Sequence, residues 1–255
     1  MRSRSVNIHF WKMHGAGNDF ILVDDRTLTF PAADRAWLAR LAARRTGIGS
    51  EGIILIQPPT AGAAAFRMRF FNPDGGEADM CGNGARCVAR LAYDQGVAPA
   101  RMAFDTGAGL LRAEIVGEQV RLYMTAPKDW RLNRSLDLPT GRQVYGFVNS
   151  GVPHAVVETD RLSTLDVAKL GAVIRYHGDF APAGTNANFI AVTGPQALHI
   201  RTYERGVEDE TLACGTGIVA SALIAGRLGR VNPPVQVTCA SGDVLEVNYR
   251  LTADR

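Results

Sequence analysis

Two cysteines stand in the same short frame: Met80-Cys81-Gly82-Asn83-Gly84 and Ala213-Cys214-Gly215-Thr216-Gly217. The stretches that follow, Ala85 to Tyr93 and Ile218 to Leu228, have the apolar spacing of helices. Each cysteine is therefore expected at a helix N-terminus. There the backbone N–H groups that precede the hydrogen-bond ladder and the helix dipole favour negative charge, lowering a thiol pKa from about 8.5 toward neutrality. The glycines allow close backbone approach, and the same N–H groups can hold a carboxylate. If both helix ends reach one cleft, a thiolate on one side removes an α-proton while a thiol on the other delivers one to the opposite face. That is general acid–base catalysis with inversion, and the donors on the carboxylate also stabilise the developing enolate-like charge.

The elements that must position these cysteines occur twice. A β-like run precedes each, Ala65 to Asn72 and Leu198 to Glu204. After each helix comes a strand and a glycine-marked turn into another strand. These are Met102 to Asp105 with Thr106-Gly107-Ala108-Gly109-Leu110, and Val235 to Cys239 with Ala240-Ser241-Gly242-Asp243-Val244. Such self-similarity, with the cysteines about half a chain apart, reads as one unit duplicated. Outside the repeat, Gln119 to Met124 and Tyr145 to Asn149 alternate like half-buried strands, while Ala32 to Arg44 and Thr164 to Ile174 have helical spacing. Ala126-Pro127-Lys128 and the polar stretch to Arg142 read as a linker. The expected fold is α+β: two pseudo-symmetric halves, residues 1–126 and 127–255, each a mixed or antiparallel sheet wrapped around a central helix. The site would lie in the cleft between them, and the last strand could return to the first half.

Composition bounds the rest. With 255 residues, 46% of them apolar and 21% charged, the chain falls in the globular range and can bury a real core. The net charge of +3 is small, and Arg40, Arg44 and Arg45 are the nearest approach to a basic run, so nucleic acid is not an expected partner. The segment from Met1 to Met13 carries Arg2 and Arg4 without an apolar stretch behind them and does not read as a signal peptide. The longest apolar run, Ile218 to Ala225, is far short of a bilayer span. A cytoplasmic protein with no membrane partner is expected. The four cysteines, at 81, 87, 214 and 239, are too few and too scattered for a disulfide scaffold, and no ligand spacing suggests zinc.

Plainer readings compete. An intracellular cysteine is commonly a small buried hydrophobe, and that reading is preferred for Cys87, inside a helix, and Cys239, inside a strand. A packing cysteine need not recur with the same glycine loop, which separates Cys81 and Cys214 from that default. Gly215-Thr216-Gly217-Ile218-Val219-Ala220 matches the dinucleotide fingerprint, but position 235 is Val and the next acid, Asp243, belongs to a turn. No phosphate-binding loop appears, and no lysine has the neighbours of a pyridoxal Schiff base.

The chain resembles the diaminopimelate epimerase family over nearly its whole length. The resemblance is carried by Met13-His14-Gly15-Ala16-Gly17-Asn18-Asp19-Phe20 and by Phe71-Asn72-Pro73-Asp74-Gly75-Gly76 leading to Met80-Cys81-Gly82-Asn83-Gly84-Ala85-Arg86-Cys87. Tyr203-Glu204-Arg205-Gly206 leading to Ala213-Cys214-Gly215-Thr216-Gly217 completes it. It implies Cys81 and Cys214 as the acid/base pair, with backbone groups of Gly82, Asn83, Gly215 and Thr216 on the reacting carboxylate. It implies Glu204 for the substrate ammonium, Arg205 for its far carboxylate, Asn18, Asn72 and Asn186 for recognition, and His154 near the thiols. Taken alone, Asn18 and Asn72 read equally as turn residues and His154 as a satisfied strand histidine. Glu204 and Arg205, adjacent in a strand, can reach one ligand only if the strand bends or ends near Gly206. Where the family often has Gly-Asn-Pro-His, this chain has Gly151-Val152-Pro153-His154, and position 52 is Gly where some members carry a polar side chain.

The reading is thus a cofactor-independent epimerase of LL- and meso-diaminopimelate, serving lysine and cell-wall precursor synthesis, with a small amino acid as substrate and room for a homodimer. Its rivals are a two-cysteine racemase or epimerase of a proline derivative or histidine, and a non-epimerising relative whose helix ends only bind a carboxylate. Since no metal-ligand cluster, pyridoxal lysine or complete nucleotide motif is present, turnover is expected to survive exhaustive chelation. Activity lost to a chelator and restored by a metal would overturn that expectation.

Overall fold

The computed structural model describes residues 7–60, 62–139 and 141–252. Arg2 and Arg4 lie outside the described residues. The chain divides into two compact units meeting at Met124 and Thr125.

In the first unit the strands are β1 (Trp11–Gly15), β2 (Asn18–Asp24), β3 (Gly52–Gln57), β4 (Arg67–Phe71), β5 (Glu77–Ala78), β6 (Arg101–Thr106), β7 (Gly109–Val116) and β8 (Gln119–Tyr123). Helix α1 (Arg35–Ala42) lies between β2 and β3, and α2 (Gly82–Asp94) between β5 and β6. The sheet runs β1-β2-β3-β4-β6-β7-β8 with β5 hydrogen-bonded to β4, and its pairs are antiparallel except β2 with β3 and β4 with β6. It wraps α2, which packs against β1, β2, β3, β4, β7 and β8. Ala85, Val88, Ala89 and Ala92 of the helix meet Phe20, Leu22, Ile54, Ile56, Met68 and Phe104 of the sheet. Small residues on the helix let the strands approach closely, and large ones on the sheet fill the space. On the opposite face α1 covers Ile21, Val23, Ile53, Leu55 and Phe71. β3 is buried along its whole length because both its faces are covered. α1 starts where the Asp34 side chain accepts a hydrogen bond from the Trp37 N–H at 2.9 Å.

The second unit repeats the scheme with β9 (Lys128–Leu138), β10 (Gly141–Asn149), β11 (Pro153–Glu158), β12 (Asn186–Gly194), β13 (Ala197–Glu204), β14 (Asp209–Thr211), β15 (Val235–Thr238) and β16 (Val244–Val247). Its helices are α3 (Val167–Arg175) and α4 (Gly215–Arg227). The sheet runs β16-β15-β13-β12-β11-β10-β9, with β14 on β13, so the last strand completes this sheet. α4 packs against β10 to β13, β15 and β16, while α3 covers the other face on β12 and β13. The central helix and the short strand added to each sheet (β5 on β4, β14 on β13) show the duplication directly: α2 and α4 are both 13 residues long, and each begins immediately after its cysteine.

The expected linker from Ala126 to Arg142 is corrected by the fold. It contains β9, an eleven-residue edge strand paired antiparallel with β10. The partners Tyr145↔Arg134, Phe147↔Arg131 and Asn149↔Lys128 show β9 advancing three residues for every two of β10. The extra residues form bulges in which Asn133 (φ 51°) and Asp129 (φ 60°) take left-handed backbone. The bulges break the period-2 pattern, and the edge position keeps much of the strand polar, so it reads as a linker.

Phe104 is fully buried and stacked on Phe66, ring centroids 4.8 Å apart. Phe104→Ala is expected to cost about 3–5 kcal/mol, read from the urea midpoint by circular dichroism. A midpoint equal to the wild type would contradict this packing.

Candidate active site

Cys81 and Cys214 each occupy the N-cap position, in extended backbone (φ −133°, ψ 121° and φ −114°, ψ 109°), and neither sulfur is spent on capping its own helix. The first ladder bonds are Ala85 N–H to Cys81 C=O at 2.7 Å and Ile218 N–H to Cys214 C=O at 2.9 Å. The first-turn N–H groups at 82 to 84 and 215 to 217 precede the ladder, the place where a carboxylate is held best. Cys81 is half-buried and Cys214 buried. By contrast Cys87 lies on the core face of α2, and burial pushes its thiol up to about 12, which marks a packing residue. Cys239 is buried just past the end of β15 instead of inside it, in a turn closed by its N–H to Asp243 C=O and by Gly242 N–H to its own C=O.

In the first unit Asn18 opens β2 and accepts a hydrogen bond at Oδ1 from Asn83 Nδ2 at 2.6 Å. Asn83 in turn accepts from Arg86 Nη2 at 2.7 Å, so Arg86, one turn along α2, orients an amide at the helix start. Asn72 is exposed in the turn after β4, its N–H bonded to Gly76 C=O and its C=O accepting from Gly75 N–H. Gly52 opens β3 where a Cβ would fall 2.4 Å from the Phe70 ring, so strand packing leaves no room there for a side chain.

The second unit gathers six of the expected residues into one connected set. β13 ends at Glu204 and the chain turns through Gly206 (φ 95°), which supplies the strand end that Glu204 and Arg205 require. Glu204 accepts from the Thr211 hydroxyl at 2.9 Å. Asn186 accepts from the Arg205 N–H at 2.8 Å and donates to the Pro153 C=O at 2.9 Å, tying the strand end to β11. The Arg205 guanidinium reaches the Ala183 C=O at 3.2 Å. Next to Pro153, His154 is fully buried, its Nε2 2.9 Å from Thr216 Oγ1, and that hydroxyl lies 3.5 Å from Cys214 Sγ. Ser150 donates to the Thr216 C=O at 2.8 Å, fixing the first turn of α4 against the β10–β11 connection.

Sequence reasoning missed Asn188, Ser150, Arg86 and Thr211. Asn188 is buried beneath His154, 3.0 Å from its Nδ1. The available signal was its spacing: Asn186 and Asn188 are two apart in a strand and so share a face.

A cavity of about 320 Å³ bordered by Asp160, His199, Arg201, Thr238 and Cys239 includes none of the residues expected at the site.

The diaminopimelate epimerase family model matches residues 10–130 and 146–250. A diaminopimelate epimerase of Aquifex aeolicus is 40% identical over 254 residues, covering 95% of this chain and 90% of that protein. That of Chlorobaculum tepidum is 44% identical over 246 residues, covering 95% and 93%. The chain belongs to the diaminopimelate epimerase family. It is accordingly related to isomerases. Among solved structures, a probable proline racemase from Agrobacterium radiobacter K84 with bound carbonate superposes with a TM-score of 0.70 at 18% identity, covering 94% of this chain and 84% of that one. A hydroxyproline epimerase from Agrobacterium vitis with bound trans-4-hydroxy-L-proline gives 0.69 at 16%, covering 94% and 83%. At such identities these two show the shared fold of two similar halves. No helix among the described residues is long and apolar enough to cross a membrane.

Burial, with the Arg205 charge nearby, lowers the His154 pKa from 6.5 to about 3. The folded value lies below the unfolded one, so the neutral ring contributes stability that is complete above about pH 6.5 and is lost as the pH falls toward about 3, at about 1.4 kcal/mol per unit. The His154 ring resonances should stay fixed in an NMR titration from pH 8 to 4. A midpoint near 6.5 would show the ring open to water.

Proposed function

We propose that this chain interconverts LL- and meso-diaminopimelate by exchanging the α-proton between Cys81 and Cys214. The observation that carries the reading is the pair of cysteines at the N-caps of two equivalent helices, in a chain of this family. Each unit contributes one sulfur, and the two are taken to face opposite sides of the substrate α-carbon. The thiolate takes the proton, the carbanion is held as an enolate-like dianion by the first-turn N–H groups, and the opposite thiol reprotonates it. Gly82, Asn83, Gly215 and Thr216 supply those backbone donors. Glu204 holds the reacting ammonium, and Arg205, through a charge-assisted contact, holds the distal carboxylate. Asn18, Asn72 and Asn186 complete the recognition, with Asn186 also setting the Arg205 backbone. The reaction as written needs no cofactor, and it places the chain in lysine and cell-wall precursor synthesis.

In heavy water, diaminopimelate should acquire deuterium at the α-carbon while the isomers equilibrate. Cys81→Ser and Cys214→Ser should each lower epimerisation by at least about 100-fold, with the fold retained by circular dichroism. Full activity in either variant would remove the two-base reading. Arg205→Lys keeps the charge but loses the planar fork, so it should bind diaminopimelate poorly, and the wild type should turn over lysine far more slowly than diaminopimelate. Equal turnover of the two substrates would assign Arg205 another role.

A further inference from the structure

Both ring nitrogens of His154 are engaged, and the direction of those bonds is set by a neighbour whose role cannot change. Asn188 places Nδ2 3.0 Å from the Ala155 carbonyl oxygen and 3.0 Å from His154 Nδ1, and Oδ1 3.1 Å from the Thr202 hydroxyl. A carbonyl only accepts, so the amide nitrogen must be the end that faces Ala155. Its second hydrogen then goes to Nδ1, which accepts. In a neutral ring the proton must sit on Nε2, and Nε2–H donates to Thr216 Oγ1 at 2.9 Å. Thr216 keeps its own hydroxyl hydrogen for another acceptor, and Cys214 Sγ lies 3.5 Å from that oxygen.

We propose that Asn188 is a positioning residue: by holding His154 in the Nε2–H tautomer it turns the Thr216 hydroxyl onto Cys214, giving that thiolate a fixed donor from within its own unit. The proposal deepens the assignment of Cys214 as an acid/base group and rests on it. The backbone has been shaped to this arrangement. A Cβ at Gly217 would fall 2.4 Å from Asn188 Oδ1 and 3.3 Å from His154 Cε1, so the glycine after Thr216 is the space these two side chains occupy. The charged group acting on the ring is Arg205, which disfavours a second proton on it. A protonated Nδ1 would also point at the Asn188 amide hydrogens. A ring kept neutral in this way makes the donor to Cys214 independent of pH through the range in which a thiol titrates.

The test uses the full chain and reads the network apart from turnover. Long-range proton–nitrogen correlation on the labelled wild type should show His154 as the Nε2–H tautomer. The alkylation rate of Cys214 by iodoacetamide at pH 7, resolved by peptide mass, reports its thiolate fraction. Thr216→Val should slow it about tenfold, the scale of one lost hydrogen bond to a charged group, while Thr216→Ser should keep the wild-type rate. Asn188→Leu should abolish the tautomer preference and slow Cys214 in the same direction. An Nδ1–H tautomer in the wild type, or an unchanged Cys214 rate in Thr216→Val, would overturn the proposal. So would an Asn188→Leu variant that keeps both the tautomer and the rate. If Asn188→Leu does not fold, the wild-type spectrum and the Thr216 pair decide. A chain that incorporates no α-deuterium yet gives these spectra and rates would refute the epimerase reading and leave the network standing.

Discussion

A cysteine that immediately precedes a helix has its sulfur beside a turn of backbone N–H groups that the ladder does not use. Two such turns are the constraint on which the rest of this fold depends. For the turns to remain available to a ligand, α2 and α4 must be held by everything except their N-termini. Each sheet does this by wrapping the helix from several strands; on α2 small alanines meet larger aliphatic and aromatic side chains of the strands, and on α4 alanines alternate with Ile218, Leu223 and Ile224. Side chains then pin the start of each helix: Asn18 of β2 and Arg86 of α2 itself on Asn83 in one unit, Ser150 and His154 on Thr216 in the other.

The two units solve the same positional problem with different chemistry. At the position two residues past the cysteine, the first unit has an amide that joins a strand end to a guanidinium. The second has a hydroxyl that joins an imidazole to the sulfur. Duplication supplied equal helices, and later divergence supplied unequal surroundings. An unequal pair suits a reaction in which one sulfur must be charged while the other carries a proton.

Much of this was legible in the sequence because the duplication marks both helices and their flanking strands. Their starts were harder to read. Apolar spacing begins at Ala85 and Ile218, whereas the helices begin at Gly82 and Gly215, since the intervening glycines and polar residues carry no hydrophobic period. β9 was hidden by its two bulges and its edge position. The family resemblance correctly anticipated the family, and β13 ends at Glu204, the strand end that a ligand shared with Arg205 would require. Asn188 went unread because a buried amide announces itself only through its partners, and His154 and Ala155 on β11 and Thr202 on β13 lie on the two strands either side of its own.

Gly217 carries a further consequence. The space its missing side chain leaves is filled by Asn188 and His154. A lineage drifting by single substitutions could not place even a methyl group at 217 until one of those two had already shrunk. Once either had shrunk, the selective reason to keep the other would weaken. The structure thus couples the glycine, the asparagine and the histidine sterically, so that a sequence keeping the two side chains must keep the glycine, and the polar groups beneath Cys214 would act on any drifting lineage as a ratchet.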